Sequence, residues 1–249
     1  MNNAGGIRNV FIGHGAGKSN STGANNQCIG TGAGVNLSNG AANIMIGTSS
    51  GSKISTGDFN IVMGNYAGQG MGSNDSYNII LGNFAGWYAP IGDRKLFIDC
   101  DAVTNPLIYG NFAADVIRIY GNLEYTGTLT HVSDVNLKTN FSRLDNVLGK
   151  ISSINSYYFD WNAVAKEELS LGDEKQLGLI AQEVEIEFPE LVSLNDKGYK
   201  TINYVNLTPI LLQATKEQQQ IIEDQESRIS TMEAELAELR AVVMSLTER

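Results

Sequence analysis

Cysteine and histidine are almost missing from this 249-residue chain: it has two of each, Cys28 and Cys100, His14 and His131. No CxxC pair occurs and none of the four is spaced as part of a ligand set, so neither a metal nor a cofactor is expected. Whether the two cysteines form a disulfide is left open. Long apolar runs are absent too. None reaches 18 residues, which predicts no membrane insertion, and the first residues, MNNAGGIRNV, hold no stretch of signal-peptide type. Charge is scarce, at 18% of residues, and weighted to one sign, with 17 Lys and Arg against 27 Asp and Glu for a net −10. Phosphate contacts need clustered Lys and Arg, so nucleic acid is not an expected partner.

What is present is unevenly spread. Of the 27 glycines, 23 fall in residues 1–132 and 4 in residues 133–249. The first part has a net charge of −1 and the second −9. Two compositions imply two architectures, with a change near residue 130. The expected division is a glycine-rich β-repeat shaft over 1–91, a β-rich connector over 92–132, and a third domain over 133–249.

The shaft is a repeat. NVFIGHGAG from Asn9, NQCIGTGAG from Asn26, NIMIGTSSG from Asn43, NIVMGNYAG from Asn60 and NIILGNFAG from Asn78 align, with steps of 17, 17, 17 and 18 residues between their central glycines. A fixed period signals stacked supersecondary units. Three mostly apolar residues make a short strand, and the glycines permit turns with positive φ. Such a unit cannot bury its apolar face alone, so it stacks on other units or on other chains. The pattern resembles the Gly/Asn-rich coils of trimeric fibre shafts and the head repeats of trimeric adhesins. Both a triple-stranded β-helix and a single-chain β-solenoid fit, and the C-terminal part of the chain favours the first. Tyr66, Phe84, Trp87 and Tyr88 are candidates for receptor contact, although packing at the shaft end is the preferred reading. In the connector, KLFID, PLIYG, VIRIYG and LEYTGTLT read as short strands between Gly, Asn and Pro.

Ser133 and Lys138 stand five residues apart in SDVNLK. A serine hydroxyl needs a base, and a lysine serves when burial disfavours its ammonium form. Ser–Lys pairs are a known alternative to triads, but the spacing alone is common. Its context is distinctive. After Ser133-Asp134-Val135-Asn136-Leu137-Lys138 come Tyr157-Tyr158-Phe159-Asp160-Trp161, then Gly178-Leu179-Ile180-Ala181-Gln182-Glu183-Val184, Phe188-Pro189-Glu190-Leu191-Val192, and Tyr204-Val205-Asn206-Leu207-Thr208-Pro209. In this order the motifs resemble the self-cleaving intramolecular chaperone domain that ends trimeric phage tail fibres and tailspikes. They are similar as well to the C-terminal domains of phage endosialidases and to the self-cleaving segment of myelin regulatory factor. The resemblance implies an α+β domain, Ser133 as nucleophile, Lys138 as general base, and a cut between Val132 and Ser133. Tyr157, Phe159 and Trp161 alternate as core strand residues do. Asp134 is read as a cap or as a group tuning Lys138, Gln182 and Glu183 as a helix start or trimer contact. A Ser–His pairing through His131 is disfavoured.

A helix is expected from Leu207, with Pro209 in its first turn. Ile222, Ile229, Leu236 and Val243 recur every seven residues, as do Gln225, Met232, Leu239 and Leu246. The two series, offset by three, are the a and d positions of a coiled coil over about 207–247. Gln225 at a d position adds a polar layer that sets register. The a/d residues do not choose the strand number; the resemblance chooses three. It implies a homotrimer at the tip of a virion tail fibre, assembled in the host cytoplasm, with a host-surface receptor, glycan or protein, as further partner. The rival is a bacterial surface adhesin that keeps the domain as a permanent trimeric cap. A polysaccharide-cleaving tailspike finds little support, since only six carboxylates precede residue 116.

Overall fold

The computed structural model describes residues 5–88, 90–195 and 197–247. Two compact units are formed, Met1–Leu129 with Trp161–Asp173, and Thr130–Asp160 with Glu174–Arg249.

In the first unit, each repeat contributes one three-residue strand: β1 (Val10–Ile12), β2 (Gln27–Ile29), β3 (Ile44–Ile46), β4 (Ile61–Met63) and β5 (Ile79–Leu81). They pair in parallel and in register, so Phe11, Cys28, Met45, Val62 and Ile80 form one column. The sheet continues past residue 91. β6 (Lys95–Ile98) adds a sixth parallel strand, and β7 (Ile108–Asn111) and β8 (Val116–Ile119) close it as an antiparallel meander. The result is a β-solenoid of about five turns rather than an interwound triple helix. The reason lies in the backbone hydrogen bonds. Gln27 N–H donates to Asn43 O, and Ser38 O receives the N–H groups of Ser21, Thr22 and Gly23. Groups that a second chain would have to pair with are already taken by the next turn of the same chain.

The solenoid interior is built of columns. Beside the strand column run Ala16, Ala33, Ser50, Ala67 and Ala85, and then Leu37, Ile54, Met71 and Ile91, all buried. Each fully buried Leu, Ile or Met contributes about 1.5–3 kcal/mol. A further column is polar: Asn26, Asn43, Asn60 and Asn78 are completely buried. Asn43 N–H donates to Asn26 Oδ1 at 3.0 Å, Asn60 N–H to Asn43 Oδ1 at 3.0 Å, and Asn78 N–H to Asn60 Oδ1 at 3.0 Å. The Asn43 amide nitrogen also donates to Gly57 O at 2.9 Å. These turns thus hydrogen-bond one another through side chains as well as through the backbone, which satisfies the amides of this column.

Of the four positions with positive φ that recur in each turn, two differ in kind. Gly47 has φ +127°, and a Cβ there would lie 2.5 Å from Gly64 O. At the second, Gly15 and Gly32 of the early turns are replaced by Ser49, Tyr66 and Phe84, all left-handed with φ between 55° and 60°. Tyr66 and Phe84 stack at 5.6 Å between centroids with planes 8° apart, and Trp87 meets both at a steep angle. The aromatics pack on one another while staying partly exposed. Cys28 and Cys100 are both unpaired, so no disulfide forms, and burial pushes the Cys28 thiol up to about 12.

The second unit holds α1 (Val147–Ser152), β9 (Ser156–Phe159), β10 (Gln176–Leu179), α3 (Ala181–Glu187), β11 (Val192–Leu194), β12 (Lys200–Ile202) and α4 (Leu207–Thr247); α2 (Ala163–Leu169) groups with the first unit. β9 with β10 and β11 with β12 are antiparallel pairs. Val147, Val184, Phe188, Leu191, Ile210 and Ala214 form the core. Glu217 of α4 accepts from the Leu148 and Val147 N–H groups at 2.9 and 3.2 Å, capping α1, and these bonds hold its carboxyl below the ordinary range. Tyr157, Phe159 and Trp161, expected in the core, are only half-buried. A sheet of two strands covers Tyr157 and Phe159 incompletely. From residue 218 to 244 every side chain of α4 is exposed in the single chain. Among the described residues, no helix is long and apolar enough to cross a membrane.

Candidate functional site

The segment from Thr130 to Ser133 has no regular structure, and Val132 is 75% exposed. Asp134 ends it. Its backbone is extended, at φ −65° and ψ 135°, and its carboxylate accepts from the Asn136 N–H at 2.8 Å, capping a single 3-10 turn over Val135–Leu137. Lys138 returns to extended backbone, its N–H bonded to Val135 O. The turn folds the chain back, and Lys138 Nζ donates to Ser133 Oγ at 2.6 Å. Asp134 therefore builds the turn rather than pairing with the lysine. Ser133 receives its bond from Lys138 and not from His131, and both side chains are open to solvent in the single chain.

Chemically, a hydroxyl and an amine in direct hydrogen-bond contact can exchange a proton without moving heavy atoms. The peptide bond between Val132 and Ser133 lies in an exposed, irregular segment.

Glu183 acts elsewhere. It accepts from the Tyr157 hydroxyl at 2.7 Å and from the Asn155 N–H at 3.2 Å, fastening α3 to β9. The bond from Tyr157 holds the Glu183 carboxyl below its usual range, and the same contact pushes the Tyr157 hydroxyl up. Asp99, Cys100 and Asp101 bring three ligand-type atoms within 4.8 Å of one another. The Asp99 oxygens are already occupied by the N–H groups of Cys100, Asp101 and Leu107, so this cluster builds a loop. The DCD run is the only sequence signal of it.

Two comparisons bear on the site. Residues 133–193 match the peptidase family described as chaperone of endosialidase, and the match begins at Ser133 itself. The long tail fiber protein Gp37 of Salmonella phage S16 is 29% identical over 128 residues, which cover 51% of this chain and 17% of that protein. The chain thus spans only a small part of the relative's length. Together these matches support a chaperone domain that begins at Ser133, of the kind described for endosialidases, in a chain similar to part of a phage long tail fibre protein.

Proposed function

We propose that this chain is part of a homotrimeric virion tail fibre or tailspike whose chaperone domain assembles the trimer and then cuts itself off between Val132 and Ser133. The observation that carries the reading is the 2.6 Å contact between Lys138 Nζ and Ser133 Oγ. Ser133 Oγ attacks the Val132 carbonyl carbon while Lys138 takes the hydroxyl proton. The C–N bond breaks and the Ser133 nitrogen leaves as an amine, protonated from Lys138. This leaves an ester between Val132 and the Ser133 side chain. Water, deprotonated by the same lysine, hydrolyses it to a carboxylate on Val132 and a hydroxyl on Ser133.

Trimerisation is supported by surface that one chain leaves bare. Ile222, Ile229, Leu236, Met232, Leu239 and Leu246 are 40–66% exposed on a helix of 41 residues. Two apolar heptad series in water require a partner helix. The first unit adds Leu107, Ile117, Leu123 and Leu129, all more than half exposed. Three α4 helices that associate first would bring three shafts side by side and raise their effective concentration. Release of the chaperone then leaves a kinetically trapped shaft trimer, because refolding would need the aligning element that is gone. Host-surface recognition belongs to the shaft in this reading.

The test is a denaturing gel of the purified chain with N-terminal sequencing of its fragments. Two bands are expected, the C-terminal one starting at Ser133, and a single full-length band for Ser133→Ala. Wild type that stays full-length after prolonged incubation refutes self-cleavage and favours the permanent cap of a surface adhesin.

A further inference from the structure

One corner of the solenoid changes character along its length. Its left-handed position is Gly15 in the first coil, Gly32 in the second, Ser49 in the third, and Tyr66 and Phe84 in the fourth and fifth. An added Cβ at Gly15 would meet nothing within 4 Å, and at Gly32 it would come nearest to Ser49 Oγ, at 3.4 Å. The early coils therefore leave the backbone of this corner bare, open to the close approach of a ligand. The bare strip ends at Tyr66. One face of that ring lies on Phe84, and Trp87 braces both rings from the side. The other face looks over Ser49, where the column carries no ring.

Local packing does not account for the two rings. A left-handed backbone costs a residue with a side chain energy that glycine avoids, and the stacking of the rings on each other returns only part of it. Both stay open to solvent, Tyr66 at 38% and Phe84 at 39%. Backbone strain held at exposed side chains points to a use. Polar groups stand beside the free face of Tyr66. The Asn65 carboxamide is fixed, because its Oδ1 accepts from the Thr48 N–H at 2.9 Å on that same side. Among the described residues its Nδ2 has no acceptor, and the Ser49 hydroxyl has no partner either. Residues 14–17, 31–34, 48–51 and 65–68, which build the corner, contain no Lys, Arg, Asp or Glu.

We infer that this corner binds a neutral carbohydrate. One hexopyranose ring lies over Ser49 with its C–H face on the open face of Tyr66. Its hydroxyls accept from Asn65 Nδ2 and share a hydrogen bond with Ser49 Oγ. The sugar units that follow lie along the bare backbone of Gly32 and Gly15. A hexose offers both an apolar face and hydroxyls, which match an aromatic face rimmed by uncharged polar groups. An acidic glycan would find no Lys or Arg in these segments to pair with its charge. The inference rests on the reading that host-surface recognition belongs to the shaft, and it gives that recognition a place and a ligand class.

The experiment uses the full chain carrying Ser133→Ala, so that cleavage plays no part. It is applied to an array of immobilised oligosaccharides of glucose, galactose, mannose and N-acetylglucosamine, with sialylated and sulfated ones beside them. Saccharides that retain the chain are then titrated calorimetrically. Binding to at least one neutral saccharide is expected. Two variants test the place. Ser49→Tyr extends the stack by one ring and fills the slot, in a corner that already holds a tyrosine left-handed at Tyr66. Tyr66→Gly gives the fourth coil the corner of the first two. Each should weaken binding about tenfold or more while denaturant unfolding stays that of the parent chain. Tyr66→Phe keeps the ring face and should bind as the parent does. Should Ser49→Tyr fail to fold, Tyr66→Gly decides alone. Undiminished binding in either folded variant overturns the inference and leaves recognition by the shaft standing. Binding to acidic saccharides alone overturns it as well. Binding to no saccharide overturns it and leaves a protein as the shaft's partner. Self-cleavage is read separately on the gel and is untouched by any of these results.

Discussion

Lys138 Nζ donates to Ser133 Oγ at 2.6 Å, the direction opposite to the one base catalysis requires. A base must accept the hydroxyl proton, so the same pair has to exchange donor and acceptor roles before it can react. No rearrangement of the chain is needed for that exchange, only loss of the proton on nitrogen. Burying an amine favours its neutral form, and in the single chain nothing covers Lys138. In the proposed reaction the contact is formed in advance, and its activation is left to whatever excludes water.

Lys138→Arg should therefore abolish cleavage as completely as Lys138→Ala, although it keeps the charge and the hydrogen bond to Ser133. A guanidinium is not deprotonated in proteins. The check is a time course on a denaturing gel, in which fragments from the arginine variant at a rate near wild type would remove Lys138 from the role of base.

Assembly should precede cleavage. Ile229→Asp with Leu236→Asp buries carboxylates at the a positions of each helix, at a cost of several kcal/mol. The expected product is monomeric and uncut. Sedimentation together with the gel decides, for a monomer still cut before Ser133 would mean that trimerisation is not the trigger.

Asn43→Ala should destabilise the solenoid by about 3 kcal/mol or more, because it strands several buried groups at once. The Asn60 N–H loses its acceptor at 3.0 Å and Gly57 O loses its donor at 2.9 Å. Denaturant unfolding of the Ser133→Ala chain measures this, and a change below about 1 kcal/mol would show that the column adds little.

Two glycine substitutions should differ sharply. Gly15, at φ +73°, has nothing within 4 Å of an added Cβ, so Gly15→Ala should cost only about 1–2 kcal/mol of left-handed strain. Gly47→Ala forces a methyl against Gly64 O and should cost roughly 3 kcal/mol or more. Equal melting temperatures for the two variants would contradict the close stacking of the turns.

The bond between Tyr157 and Glu183 should make the second unit sensitive to acid. The folded-state pKa of Glu183 lies below its unfolded value, so its contribution is complete above the unfolded value and fades as pH falls through the folded one. Tyr157 is raised, so its contribution holds below the ordinary tyrosine value and is lost as pH climbs past the folded one. Glu183→Gln should flatten the acid limb of stability, measured by denaturant unfolding between neutral pH and about pH 3. An unchanged acid limb would show that the contact carries no linkage.

Much of the molecule is legible in the sequence, and the gaps have physical causes. The period, the strand triplets and the corner glycines can all be read directly. Whether the turns stack within one chain or between three cannot, because Ile44, Ile61 and Ile79 present the same apolar pattern to either kind of neighbour. The asparagines before the strands are visible as a repeated letter, but their hydrogen-bonded column exists only once turns are superposed. At the site, the spacing of Ser133 and Lys138 is plain from sequence. Their contact depends on the turn capped by Asp134, a local geometry that spacing does not specify. The half-exposure of Tyr157 and Phe159 is hidden by their strand-like alternation, which does not say how many strands will share the sheet. That residues 161–173 group with the first unit has no signature in composition at all.

The single 18-residue step among steps of 17 has a consequence for how such a fibre changes length. Met71 keeps the core place held by Ile54 one turn earlier, while Ser73 O takes over the role of Ser55 O, so the extra residue is absorbed at Gly72. There the backbone N–H simply turns to Asp75 Oδ2 at 2.7 Å, and β4 still meets β5 residue for residue. Single insertions at this outer bend are therefore harmless, whereas one inside a strand would throw every column out of line. Whole turns are different, since each offers its successor the same surface that it received. In evolution such a shaft is free to lengthen or shorten in quanta of one coil, by duplication or loss, without redesign of what remains.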